Sequence, residues 1–421
     1  MMNLRFSTYL TLLLAAFVFL GCQDDQDQLV PTTIATDATT FEVNEDFEGE
    51  DADLLELDAE VYVSPAELGT ELKVDIEADK WGSRATTVYT QTNDPAGNEV
   101  VFYTAADDGT LTETARYATG GTGSGDNLAN QAALFLDNYY SLLYAVNAGS
   151  SELSVFYIYR DGSLHLLDKV ATQGTRPVSV TAYGNIVYVV NAGTDDVEGF
   201  RLRRNGTLRS LPNSVRPLSA SGTAPAQISF KPNGRALMVT EKATNTITSF
   251  AVRRNGRLSN PNTTVSAGAT PFGFDFLRGR TIVSEAAGGD ENAATVSVYR
   301  LRNNGTVRLL NGPVAVNQTA TCWVSTNRRT GNVLVTNTAS SNISSLALAG
   351  NGLTFTNGGE VTPAVMTPHD IGQNRAGTYA YVVTIGSDEV LSYRVGANGA
   401  LTQIDADGGI GDFSSGIVVR R

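Results

Sequence analysis

Glu241 and Glu285 end two similar apolar runs, "LMVTE" and "TIVSE". His369 and Asp370 open another run, "TPHDIGQ", and Arg176 precedes one more, "GTRPVSV". A carboxylate can take a proton from an attacking water and an imidazole can give one to a leaving oxygen. A guanidinium can hold an anionic group in place while this happens. Gln227 in "APAQISF", Phe272 in "TPFGFDF" and Trp323 in "TCWVS" stand at similar starts of runs. They would line such a site and not react: the amide by hydrogen bonding, the rings by gripping a sugar-like ligand. Each residue also has a plainer structural role open to it. Arg176 could bridge neighbouring elements, the glutamates could pair with Lys242 or Arg280, His369 could be a hydrogen-bonded rim residue, and Trp323 could be packing. All eight lie scattered between positions 176 and 370, so only a particular fold could gather them.

The elements that would gather them are legible as a repeat. Asn-Gly or Asp-Gly pairs close at Gly109, Gly162, Gly206, Gly256, Gly305, Gly352 and Gly399, with spacings of 53, 44, 50, 49, 47 and 47. Such pairs tolerate the positive φ that a tight two-residue hairpin demands, and seven at near-constant spacing make a repeat. Before each turn apolar residues alternate with polar ones, as with Phe200 and Leu202 against Arg201 and Arg203, which is the period of a strand. Upstream lies a mostly apolar second strand such as "VYVVNAG", and before it a short inner strand such as "PVSVTA" or "AQISFK". A fourth strand follows the turn. Four strands in each of seven units predict an all-β, seven-bladed β-propeller, in which radial closure leaves few free edges. The first unit, from "TTVYTQTND", lacks an inner strand, and "GDFSSGIVVRR" at the C-terminus has nothing after it. The C-terminal strand is therefore expected to close the first blade. Inner-strand beginnings and second-strand ends then meet around one channel mouth, where the eight candidates would converge.

The net charge of −14 argues against nucleic acid as a partner. It is unevenly spread: residues 23–80 hold 19 acidic residues against Lys73 and Lys80, while residues 81–421 are close to neutral. Residues 1–21 carry Arg5 and then an apolar run from Tyr9 to Leu20, too short for a spanning helix and suited to a secretion signal. Gly21 before Cys22 resembles a lipobox, which would make Cys22 the lipidated first residue, although Phe19 and Leu20 depart from the usual pattern. The acidic tract "QDDQDQ" behind it resembles the surface-export signals of some Gram-negative lipoproteins. The organisation expected is a lipoprotein signal peptide at 1–21, an acidic and largely disordered tether at 22–80 with a strand at Glu60–Val63 or Leu72–Ile76, and a propeller at 81–421. An outer-membrane lipoprotein facing the periplasm or the cell surface, monomeric, follows as the expectation. Two cysteines, Cys22 and Cys322, do not look like a disulfide framework. His165 and His369 are too few for a histidine-rich metal site, and "GTGSGDNLANQ" at 121–131 lacks the Gly-Lys-Ser/Thr of a P-loop and reads as a plain loop. No metal or cofactor is expected.

The strands and turns together, "VYVVNAGTDDVEGFRLRRNGTL", resemble the lactonase-type seven-bladed propellers, which include a 6-phosphogluconolactonase and the carboxymuconate cyclases. Phrases such as "GTRPVSV", "VTEKATNTI" and "GATPFGF" are similar to a bacterial lipoprotein branch of that family. The resemblance implies a lactone hydrolase or cycloisomerase whose stretch "GPRHxxFHP…YVVNE" brings Arg, His and Glu to the channel. Here that stretch reads "APAQISFKPNGRALMVTEK". Ala226 stands for the Arg, Gln227 for the His and Lys231 for the second His, while Pro225, Phe230, Pro232 and Glu241 remain. A glutamine cannot shuttle a proton. Two expectations follow: a tethered propeller that binds a lactone, a sugar-like ligand or a surface partner at its channel face, or a lactonase with a rearranged set, Glu241 or Glu285 as base, His369 as acid and Arg176 as anion clamp.

Overall fold

The computed structural model describes residues 86–420 other than Val365. The expected signal peptide, the lipidation site Cys22, the acidic tether and its two candidate strands lie outside the described residues, as does 81–85. Seven antiparallel sheets follow one another along the chain. Their inner strands are Leu134–Asp137, Pro177–Tyr183, Pro225–Phe230, Pro271–Leu277, Thr321–Thr326 and Pro368–Gln373 for blades 2 to 7, and Ser415–Arg420 for blade 1. The ring closes as the sequence predicts. Ser415–Arg420 pairs with Thr86–Gln91, Val88 opposite Val419 and Thr90 opposite Ile417, so the last strand is the innermost strand of the first blade.

The second strands, such as Leu142–Asn147, Ile186–Asn191 and Ala236–Glu241, are buried along their whole length. That is why they read as continuous apolar runs: a neighbouring blade covers each face. Outer strands are open to water on one side and alternate, as in Leu111–Ala118.

The recurrent turn differs from the expectation in one respect. In six blades it is a three-residue loop, not a two-residue one. In blade 3 the amide of Gly206 donates to Arg203 O, the amide of Arg203 donates to Thr207 O, and Gly206 alone takes a positive φ, of 78°. This is a type I turn closed by a bulged glycine. The asparagine is selected for its side chain: Asn205 Oδ1 accepts from the amide and hydroxyl of Thr207. In blade 6 the loop slips by one, so that Gly350 and Asn351 form a two-residue turn between Ala349 and Gly352. Packing adds a second requirement for glycine. A Cβ on Gly162 would lie 2.7 Å from the Phe102 ring of blade 1, and Tyr89 of that blade donates its phenol to Gly162 O at 2.7 Å. The repeat therefore marks both a local turn and the seam to the preceding blade.

Candidate functional site

The inner strands of blades 3 to 7 begin alike. A residue with positive φ precedes each: Arg176, Ala224, Thr270, Ala320 and Thr367, between 25° and 58°. A register shift follows within the next few residues, at Pro177/Ser179, Pro225/Gln227, Pro271/Phe274, Thr321/Trp323 and Pro368/Ile371. Such bulges re-aim side chains at the end of a strand. Here they crowd Ala226, Phe272, Cys322 and Trp323 into one buried cluster together with Ala129.

Ala129 belongs to the loop read as featureless. Residues 129–132 cross the hub and bond to the blades around it. Lys242 Nζ of blade 4 donates to Ala129 O at 2.7 Å. Trp323 Nε1 of blade 6 donates to Asn130 O at 2.6 Å, while Asn130 Oδ1 accepts from Ser415 of blade 1 and Asn130 Nδ2 donates to Val178 O of blade 3. Gln131 bridges Val324 with both arms, Nε2 to its carbonyl at 2.7 Å and Oε1 from its amide at 3.1 Å. Gly273 of blade 5 makes room for this, because a Cβ there would lie 2.0 Å from Gln131 Oε1. The amide of Ala132 faces Asp370 Oδ2 of blade 7 at 3.4 Å. The segment is a plug. The signal for it in the sequence is indirect: the glycine of "PFGFDF" falls where other blades carry Gln227, Trp323 or Asp370.

The eight candidates divide into two groups. Phe272, Trp323, His369, Asp370 and Gln227 are brought to the hub, all at most 5% exposed. Trp323 stacks on the His369 imidazole at 4.2 Å between centroids and meets Phe272 at 4.9 Å, and Lys242 Nζ lies 5.2 Å from the Phe272 ring. Burial pushes the His369 pKa down to about 3, so the ring is neutral, and among the described residues its Nε2 has no hydrogen-bond partner. Burial pushes Asp370 up to about 7, against hydrogen bonds from the Ala132 and Ile371 amides. Gln227 Oε1 accepts from the Phe274 amide of the next blade at 2.6 Å.

Arg176, Glu241 and Glu285 do not join them. Arg176 sits on the rim in a solvent-exposed pair with Asp126 at 3.1 Å. Glu241 accepts from the Ser219 amide, the Ser219 hydroxyl and Thr244. Glu285 accepts from Ser266, Thr295, Ser297 and Tyr299. Glu241 ties the segment at Ser219 and the turn at Thr244 to its blade, and Glu285 joins Ser266 to the strand Thr295–Leu301 of its own blade. Neither pairs with Lys242 or Arg280, which bond to Ala129 O and Asn351 Oδ1 instead. The hydroxyl just before each glutamate slot has a role the sequence reading missed. Thr240, Ser284 and Thr336 donate across the seam to the bulge carbonyls of Phe272, Cys322 and His369. Among the described residues no cluster of three or more His, Cys, Asp or Glu could hold a metal ion.

Comparison with known proteins agrees with this architecture. Residues 96–220 match the model of the family described as Lactonase, 7-bladed beta-propeller. No curated protein matches the chain. Among solved structures, a Bacteroides uniformis protein provisionally assigned as a 6-phosphogluconolactonase aligns with a TM-score of 0.66 at 16% identity, over 80% of this chain and 100% of that one. A Bacteroides fragilis protein with the same provisional assignment aligns at 0.64 and 17%, over 80% and 99%. The periplasmic gluconolactonase of Pseudomonas aeruginosa aligns at 0.61 and 14%, over 80% and 98%. At these identities the likeness is one of fold.

Proposed function

We propose, from the premise of a lactonase-type seven-bladed propeller, that this chain is a binding module and not a working lactone hydrolase. It would bind a lactone, a sugar-like ligand or a surface partner at the plugged face. The carrying observation is the plug: Asn130 and Gln131 bond across the channel to several blades at once, in the place where a substrate ring would lie. Two further points support the reading. A glutamine occupies the usual histidine position, and both candidate bases accept several hydrogen bonds inside the protein, Glu241 from Ser219 and Thr244, Glu285 from Ser266 and from Thr295, Ser297 and Tyr299 of its own blade. We propose further that the chain is held at the outer membrane through a lipid on Cys22, as a monomer facing the periplasm or the cell surface, and that it has no nucleic-acid partner.

A lactonase or cycloisomerase remains the second reading because of one observation. Among the described residues His369 Nε2 is unpartnered, and it lies beside Asp370, whose carboxyl burial pushes up to about 7. That reading requires the plug to swing aside. The test is a panel of sugar lactones with the 81–421 body, whose ring closes within the described residues. No hydrolysis above the buffer rate, with a saturable thermal upshift from one panel member that Arg176→Ala abolishes, is the outcome expected. Hydrolysis lost in both His369→Gln and Asp370→Asn would replace the first reading with the second.

A further inference from the structure

The face opposite the plug carries the hairpins that join inner to second strands and third to outer strands. In blades 3 to 6 these read "YGN", "LRRNGTL", "KPNGR", "VRRNGRL", "LRGR", "LRNNGTV", "NRRTG" and "AGNG". They hold eleven arginines and Lys231, and no aspartate or glutamate. Among the described residues the ion pairs are Arg116 with Glu113, Lys169 with Glu152 and Arg176 with Asp126, none of them in these hairpins. Three of these cations, Lys231, Arg278 and Arg328, line a shallow depression between blades 4, 5 and 6 together with Phe276 and Leu301. Arg278 lies across the next blade's turn, where a Cβ on Gly331 would come 3.1 Å from its guanidinium. Lys231 Nζ donates to Asn303 at 2.7 Å, and partial burial followed by the charge of Arg300 pulls its pKa down. The neighbouring Asp275 is turned inward, accepting from the Thr326 amide and hydroxyl. Asp275 feels the charge of Arg328, but so many like charges with so little counter-charge set up a field that attracts a polyanion.

The described chain begins on this same face. Thr86 pairs with Ala105, which leads into the hairpin at 106–110, and Thr87 pairs with Arg420 at the end of the innermost strand. Immediately upstream lie the 19 acidic residues and two lysines of segment 23–80. Four strands per blade make a face on the order of 40 Å across, and a chain of that length can reach roughly 190 Å. Covalent attachment holds the segment at an effective concentration of about millimolar over the face. We infer that the acidic segment 23–80 seats in cis on the arginine face of blades 3 to 6 and supplies its counter-charge. The chain thereby covers its own polyanion-attracting surface, more strongly at low salt than at high salt.

Lysine chemistry tests this in the full chain. Lys231 is the only lysine of these hairpins; Lys169 pairs with Glu152 on an outer strand, and Lys242 is buried at the hub. Zero-length carbodiimide coupling followed by peptide mapping should join Lys231 to Asp or Glu residues of 23–80 within monomers. The yield should fall several-fold in 1 M salt, and likewise in the double variant Arg278→Glu with Arg328→Glu, whose circular dichroism and Tm should be unchanged. No link from Lys231 to that segment at low salt would overturn the inference. So would links found only in a dimer band, or a yield indifferent to both salt and charge reversal. Binding of the full chain to anionic phospholipid vesicles through these arginines, without the Lys231 link, would also overturn it and assign the face to a lipid surface.

Discussion

The two faces of the propeller use polar residues in opposite ways. At the hub almost every polar group is spent inside the protein: Gln131, Asn130, Gln227 and Lys242 all bond to backbone or to neighbouring blades. On the hairpin face most of the arginines are exposed to water, and among the described residues none of them forms an ion pair with a carboxylate. Polar residues at the hub are structural staples, because an unpaired donor buried there would cost about 1–3 kcal/mol. On the other face the eleven arginines and Lys231 cost the fold little, since water solvates most of them, and they remain available to a partner.

Four perturbations would break or sharpen this contrast. The largest effect is expected at the hub. Trp323→Ala removes a side chain stacked on His369 and packed on Phe272, and should cost about 3–5 kcal/mol by denaturant unfolding. A loss below about 1 kcal/mol would mean that the hub is loosely packed. Next, Gln131→Ala strips both bonds from Val324 and should cost about 1–3 kcal/mol, with faster amide exchange in residues 126–132. An unchanged Tm would show that the plug contributes nothing to the ring.

The third effect is a pH dependence hidden in the wild type. The lowered pKa of His369, about 3, means that the unfolded chain takes up its proton first as pH falls below about 6.5, so this group removes stability between 6.5 and 3. The raised pKa of Asp370, about 7, acts with the other sign. Its stabilisation is fully present below about 3.9 and is lost as pH rises through 7. The two contributions oppose each other between pH 4 and 6.5. Relative to wild type, His369→Gln should therefore gain Tm on acidification from pH 7 to 4, and Asp370→Asn should lose it. Parallel curves for all three proteins would remove the buried pair from the account. The smallest effect is expected on the rim and the hairpin face. Arg176→Ala deletes an exposed ion pair and should change stability by less than about 1 kcal/mol. Arg253→Gln and Arg302→Gln should each stay within about 0.5 kcal/mol. A larger loss in either would mean that the hairpin arginines hold the blades together.

The sequence by itself determined the ring. Turn glycines, period-two strands and a C-terminal strand without a partner are local or periodic signals, and each follows from backbone geometry at a known position. It also showed which residues could gather at one end, and five of the eight do. Only the tertiary structure decided what occupies the channel, which carboxylates are spent, and that Gly273 exists to admit Gln131. Those facts depend on contacts between residues far apart in the chain, such as Asn130 with Trp323 and Ser415. No spacing rule encodes a contact that exists only after seven sheets have closed around one axis.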